Sequence, residues 1–152
     1  MIASELRQLY QEVLIDHAKR PRNFRELGPE AVSVEGYNPL CGDRIRIYVT
    51  QADGAIRELS FTGSGCAIST ASASMMTEAL RGKTVAEAEQ LAERFHELVT
   101  GPAEAPADDE GLGKLAIFAG VREFPVRVKC ATLAWHSLRS ALHGDQAVIS
   151  TE

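Results

Sequence analysis

The stretch from Asp43 to Gln51 constrains the fold of this chain most. Apolar Ile45, Ile47 and Val49 alternate there with Arg44, Arg46 and Tyr48, the period of two that a half-buried strand requires. Asp53-Gly54 follows, a dipeptide suited to the positive φ angles of a tight hairpin turn. Ala55 to Thr62 then supplies a return strand with Ile56, Leu59 and Phe61 apolar, and Ala31 to Glu35 is a shorter third candidate. Strands joined by so short a turn pair antiparallel.

Helical periodicity surrounds this hairpin. Ser4 can cap a helix with Leu6, Leu9, Tyr10, Val13 and Leu14 on one side. It stops before Pro21, since a residue preceding proline avoids the helical region, and a loop runs on to Pro29. After the strands, Gly63-Ser64-Gly65 leads into a helix from Cys66 to Leu80 with a small-residue face of Ala67, Ile68, Ala71, Met75 and Ala79, ended by Gly82. Thr84-Val85-Ala86-Glu87 is a capping box for a second helix to Val99. Gly101 to Gly113, rich in glycine, proline and acidic residues, reads as a loop, and a short helix is expected over Leu115 to Phe118. Pro125 can open a last helix through Cys130, Leu133, Ala134, Ser137, Leu138 and Leu142, with Gly144 as its C-terminal cap. The expected fold class is α+β: a small antiparallel sheet packed against several helices, as a single domain over residues 1–152.

A chain of 152 residues, 45% hydrophobic and 24% charged, suits one soluble domain with a real core. Its net charge of -5 argues against general nucleic-acid binding, despite the basic cluster Lys19-Arg20-Pro21-Arg22. No apolar run is long enough to span a bilayer. The N-terminus Met1-Ile2-Ala3-Ser4-Glu5 carries no secretory signal, so the expected location is the cytoplasm. Thiols stay reduced there, and an odd number of cysteines fits metal or catalytic use better than a disulfide framework.

The chain has three cysteines, in Cys41-Gly42-Asp43, Gly65-Cys66-Ala67 and Lys129-Cys130-Ala131. Three thiolates and the carboxylate of Asp43 make the four donors of a tetrahedral metal site. Cys41 and Asp43 flank one residue and face the same side if the backbone is extended. Cys66 opens a helix, whose N-terminus favours a thiolate, and the same holds more weakly for Cys130. Separations of this length match no compact zinc finger, so spacing alone leaves two readings open: a metal site, or unrelated buried cysteines.

Four blocks of the sequence resemble one family. LYQEVLIDHAKRPRN from Leu9, NPLCGDRIR from Asn38, GSGCAIS from Gly63 and RVKCATLAW from Arg127 are similar to the iron–sulfur scaffold family of the IscU/NifU N-terminal type, in the same order. The resemblance implies a SufE/IscU-like domain in which Cys41, Asp43, Cys66 and Cys130 meet at one end and hold metal. Lys129 stands where the housekeeping branch has histidine, and the segment between Cys66 and Cys130 is longer, with the extra residues around Gly101 to Glu123. Both features resemble the SufU branch, similar to zinc-dependent sulfurtransferases. The chaperone-recognition motif of the housekeeping branch is replaced by Glu123-Phe124-Pro125-Val126-Arg127.

The SufU resemblance implies a sequence of events. A SufS-type cysteine desulfurase carrying a persulfide docks at the metal end, and Cys41 accepts the outer sulfur by thiol exchange. The sulfur then passes to a downstream iron–sulfur assembly scaffold. Arg127, three residues before Cys130, is expected to neutralise the ligands or steer the partner. The alternative on the same residues is a scaffold that assembles an iron–sulfur cluster. A cysteine hydrolase lacks a local Cys–His signature, and a chain of this size does not need zinc merely to fold. His17 is expected at the surface or capping its helix. His96, His136 and His143 are read as surface or half-buried, Met75, Met76 and Trp135 as core, and Asn38 as a turn former before Pro39, bordering the site with Tyr37.

Overall fold

The computed structural model describes residues 2–102, 111–143 and 149–150, with the side chains of 2–7 and 149–150 outside the description. Gly144, most of the Gly101–Gly113 loop and the side chains of Ser4 and Leu6 therefore lie outside the described residues. The elements run α1 (Ile2–Lys19), β1 (Val32–Asn38), β2 (Asp43–Ala52), β3 (Ala55–Ser64), α2 (Ala67–Leu80), α3 (Val85–Thr100), a series of 3₁₀ turns (Gly113–Glu123), α4 (Pro125–Leu142) and β4 (Ile149–Ser150). The fold class is the α+β one expected.

Sheet order is β3-β2-β1-β4. β1/β2 and β2/β3 are antiparallel. Two-residue β4 lies parallel to β1, opposite Gly36 and Tyr37, and nothing in the local sequence pattern announces it. The hairpin turn forms at Asp53-Gly54 with φ of 55° and 76°, the left-handed pair of a type I′ turn. Alternation in β2 buries Asp43, Ile45, Ile47 and Val49 on one face. The first strand is longer than its apolar residues suggest: β1 continues past Glu35 and buries Val34, Gly36 and Asn38. Gly and Asn have low strand propensity, so local reading stops short of this tertiary pairing.

The helices cover the inner face of the sheet. Gly36 leaves room for α4: a Cβ there would overlap the Ser137 hydroxyl and sit 3.0 Å from Leu133 Cδ1. Helix α2 is buried on nearly every side from Ala71 to Thr77, because its small residues let α1 and α4 pack close. The Thr84–Glu87 capping box opens α3 as expected. Phe95 of α3 stacks on Trp135 of α4 with centroids 4.4 Å apart, and the Trp135 Nε1–H donates to Ser72 Oγ at 3.1 Å. The short helix expected at Leu115–Phe118 is instead an eleven-residue 3₁₀ run. It adds Leu115, Phe118 and Val121 to the core, so part of the segment between Cys66 and Cys130 is packed structure.

His17 corrects an expectation. It is 2% exposed, and its Nδ1 lies 2.7 Å from Ser74 Oγ on α2. The same hydroxyl accepts the backbone N–H of Arg22 at 2.8 Å. Helix periodicity places His17 on the same side as Val13 and Leu14, so it is carried inward with them. Among the described residues, no helix is long and apolar enough to cross a membrane.

Candidate metal centre

The four residues singled out by sequence arrive from three places: the β1–β2 turn, the start of α2 and the first turns of α4. β1 and β2 pair up to Asn38 opposite Asp43, so Pro39–Gly42 is a short hairpin loop. Gly42 has φ of 71°, a conformation glycine adopts without penalty. This corrects the extended-backbone reading of Cys41-Gly42-Asp43. A left-handed turn, not strand alternation, swings Cys41 over the carboxylate.

Asp43 is fully buried. Its Oδ1 accepts the backbone N–H of Cys66 at 2.8 Å, and its Oδ2 lies 3.9 Å from Cys66 Sγ. Gly65 makes this approach possible, since a Cβ there would stand 2.7 Å from Asp43 Oδ1. Cys66 is the N-cap of α2 and accepts the Ser69 N–H at 3.5 Å through sulfur. Its placement at a helix N-terminus is as read from sequence.

Cys130 is completely buried, with its Sγ 3.1 Å from that of half-buried Cys41. This is too long for a disulfide, and all three cysteines are free. One donor atom each from Cys41, Asp43 and Cys130 lies within 4.8 Å of the others, the span of ligands around one ion. Cys66 stands at the edge of this trio through its contact with Asp43.

The electrostatics of Cys130 differ from the helix-terminus expectation. Its sulfur sits 3.7 Å from the Val126 carbonyl one turn back, not at free N–H groups. Burial foremost, then hydrogen bonding to Cys41 and Asp43, pushes its thiol far above the ordinary range. Arg127 is exposed. Its guanidinium pKa is raised, first by hydrogen bonding to Cys130 and then by electrostatic interaction with the cysteines around it.

Asn38 takes a deeper place than the turn-forming role expected of it. It is fully buried, and its Nδ2 donates to Asp43 Oδ2 at 3.2 Å and to Cys130 Sγ at 3.4 Å. Tyr37 borders this end, with the Arg44 guanidinium 4.7 Å above its ring. The other histidines stay away from the cysteines: His96 faces His136 with centroids 5.8 Å apart, and His143 pairs with Glu89 at 3.0 Å.

A small α+β body with thiols and a buried carboxylate gathered at the ends of a hairpin and two helices defines a protein that presents soft donors on a preformed scaffold. The chain belongs to the family described as NifU-like N terminal domain, which matches residues 9–131. It is 48% identical over 143 residues to the iron-sulfur cluster assembly scaffold protein IscU of Streptococcus pyogenes serotype M1, covering 93% of this chain and 87% of that one. It is 39% identical over 139 residues to the zinc-dependent sulfurtransferase SufU of Bacillus subtilis, covering 91% of this chain and 92% of that one. The crystal structure described as a putative iron-sulfur cluster assembly scaffold protein for the SUF system from Fervidobacterium islandicum superposes with a TM-score of 0.73 at 32% identity, over 86% of this chain and 94% of that one.

Proposed function

We propose that this chain is a zinc-dependent sulfurtransferase that accepts persulfide sulfur from a SufS-type cysteine desulfurase, in the cytoplasm, and passes it toward an iron–sulfur assembly scaffold. The observation that carries the reading is the convergence of Cys41, Asp43 and Cys130 within 4.8 Å, with Cys41 the half-buried member on a turn. Likeness to the zinc-dependent sulfurtransferase SufU of Bacillus subtilis supports zinc and sulfur transfer at such a site.

The donor set suits zinc. Sulfur and carboxylate oxygen are donors zinc takes in four-coordinate sites, and Cys41, Asp43, Cys66 and Cys130 would hold it. Cys130 and Asp43 are buried together, and burial resists ionisation of Cys130; a divalent cation offsets that resistance. Bound zinc supplies thiolate stabilisation with no redox chemistry of its own.

The chain's own residues supply the rest. Cys41 rides on the Pro39–Gly42 loop next to Gly42, whose φ of 71° glycine adopts without penalty, and is only half-buried. Its thiolate attacks the outer sulfur of the donor persulfide. A bond forms between Cys41 Sγ and that sulfur as the donor's sulfur–sulfur bond breaks, and the donor cysteine leaves as thiolate. Arg127, exposed beside the sulfurs, offsets the negative charge of the arriving persulfide. Asp43 stays in place, held by the Cys66 N–H.

The test is transfer from a purified desulfurase with cysteine as donor, read by intact mass. Cys41 should gain about 32 daltons, lost on reduction, and Cys41→Ser should abolish both the gain and the stimulation of desulfurase turnover. Stimulation surviving in Cys41→Ser would sink the assignment. The second reading, a scaffold on which an iron–sulfur cluster is built, is favoured by likeness to the Streptococcus pyogenes IscU. Stoichiometric iron and acid-labile sulfide without zinc in protein purified with no added metal would select it.

A further inference from the structure

The carboxamide of Asn38 touches three separate parts of the site at once. Its two N–H groups go to Asp43 Oδ2 on β2 (3.2 Å) and to Cys130 Sγ on α4 (3.4 Å). Its Oδ1 accepts the backbone N–H of Leu40, at 3.3 Å, in the loop that carries Cys41. Asn38 itself is fully buried at the end of β1, in register with Asp43.

No other side chain of this size does all three. Two donors and a carbonyl acceptor on one short planar group are the property of asparagine. Aspartate would keep the bond to Leu40 but set a second carboxylate against the first. Leucine has the shape and none of the bonds. The orientation of the amide follows from its neighbours, because the reversed group would point its carbonyl at a carboxylate and a sulfur.

Resting on the zinc reading above, we propose that Asn38 is a positioning residue for the metal site. Its amide fixes the distance between the Asp43 and Cys130 donors, and its carbonyl ties the Cys41 loop to the same point. Groups that orient metal ligands in this way are worth about 10–100-fold in metal affinity. Apart from the candidate ligand Cys130, which itself contacts Cys41 and Asp43, no other described side chain bonds to both Asp43 and the Cys41 loop; the Cys66 N–H reaches Asp43 alone.

The experiment is zinc competition against a chromophoric chelator, with the apo protein's thermal melt followed in parallel, for wild type, Asn38→Leu, Asp43→Ala and the double variant. Asn38→Leu should weaken zinc binding about 10–100-fold while the apo protein still melts cooperatively. In the double variant the loss should fall well short of the product of the two single losses, since Asn38 acts through Asp43. A purely structural role would lower the apo melt and leave the two losses multiplicative. Unchanged zinc affinity in Asn38→Leu, or multiplicative losses, overturns the proposal. Wild type that does not compete for zinc at all overturns the zinc reading as well, so the two failures are distinct. If Asn38→Leu does not fold, Asn38→Ser, smaller and still polar, takes its place under the same criteria.

Discussion

Replacing Gly65 with alanine puts a methyl group where the structure has no room for one. The new Cβ would stand 2.7 Å from Asp43 Oδ1 and 3.2 Å from Asp43 Cβ and Cγ. The φ angle at Gly65 is not in the left-handed region, so the backbone tolerates alanine and the cost is steric. The carboxylate cannot simply swing away. Its oxygens are held by the Cys66 N–H at 2.8 Å and the Asn38 amide at 3.2 Å, in a fully buried place. Overpacking of this kind costs about 1–3 kcal/mol, and for a chain of this length each kcal/mol lowers the melting temperature by about 2–4 °C. Apo Gly65→Ala should therefore melt roughly 2–12 °C below wild type. Because the displaced group is a proposed ligand, zinc affinity should fall about 10-fold or more. Two other glycines calibrate the measurement. At Gly120 an added Cβ meets nothing within 4 Å, so Gly120→Ala should change neither quantity. At Gly63, φ is 129° and the added Cβ would strike the Arg44 carbonyl, so Gly63→Ala should damage the β2–β3 pairing and the fold itself. Thermal melts of apo protein and chelator competition for zinc read both effects. A Gly65→Ala protein with wild-type melting and wild-type zinc affinity would refute the claim that this glycine makes room for the carboxylate.

Other outcomes follow from the core and its buried titratable groups. His17 and His136 are both held below the ordinary histidine value of 6.5, His17 chiefly by burial and then by Arg22, His136 chiefly by burial and then by His96 and Arg139. The unfolded chain thus binds more protons, so stability should be level above that value and fall as pH drops below it. The urea midpoint should be lower at about pH 5.5 than at about pH 7.5, with His17→Gln reducing the slope; equal midpoints at both would contradict this. Stripping metal with a chelator should leave the far-ultraviolet helical signal and a cooperative melt, because the apolar cluster joining sheet and helices closes without it; loss of both would show that metal is needed to fold. Trp135→Phe removes the indole donor to Ser72 while that hydroxyl still donates to the Ala131 carbonyl at 2.6 Å, so the loss should stay near 1–2 kcal/mol in a denaturant titration. A cost above about 4 kcal/mol would mean that the Phe95 stack carries more than the hydrogen bond.

Much of the scaffold is written in local pattern. Period-two alternation from Asp43, the Asp53-Gly54 turn and the Thr84–Glu87 capping box each depend on residues within a few positions of one another, and each appears where the residues place it. The N-cap position of Cys66 is equally local, following from glycines before it and a small-residue helix after. The identity of the four candidate donors also came from sequence, through the blocks that surround them. What pattern could not supply was anything that depends on distant neighbours. His17 lies on the same face as Val13 and Leu14, but what lets a polar ring stay buried there is the Ser74 hydroxyl on α2, more than fifty residues away. Asn38 looks like a turn former beside proline, and only the register with Asp43 and the arrival of α4 turn it into a buried hub. The closeness of Cys41 and Asp43 comes from the positive φ of Gly42 rather than from strand alternation. The high thiol pKa of Cys130 is a consequence of burial among other acids, a property of the assembled body and not of its place in a helix. Residue type and spacing determine which elements form, since those energies are local; which side chains share a dry space is decided only when the elements pack, because burial and desolvation act through contacts far apart in the chain.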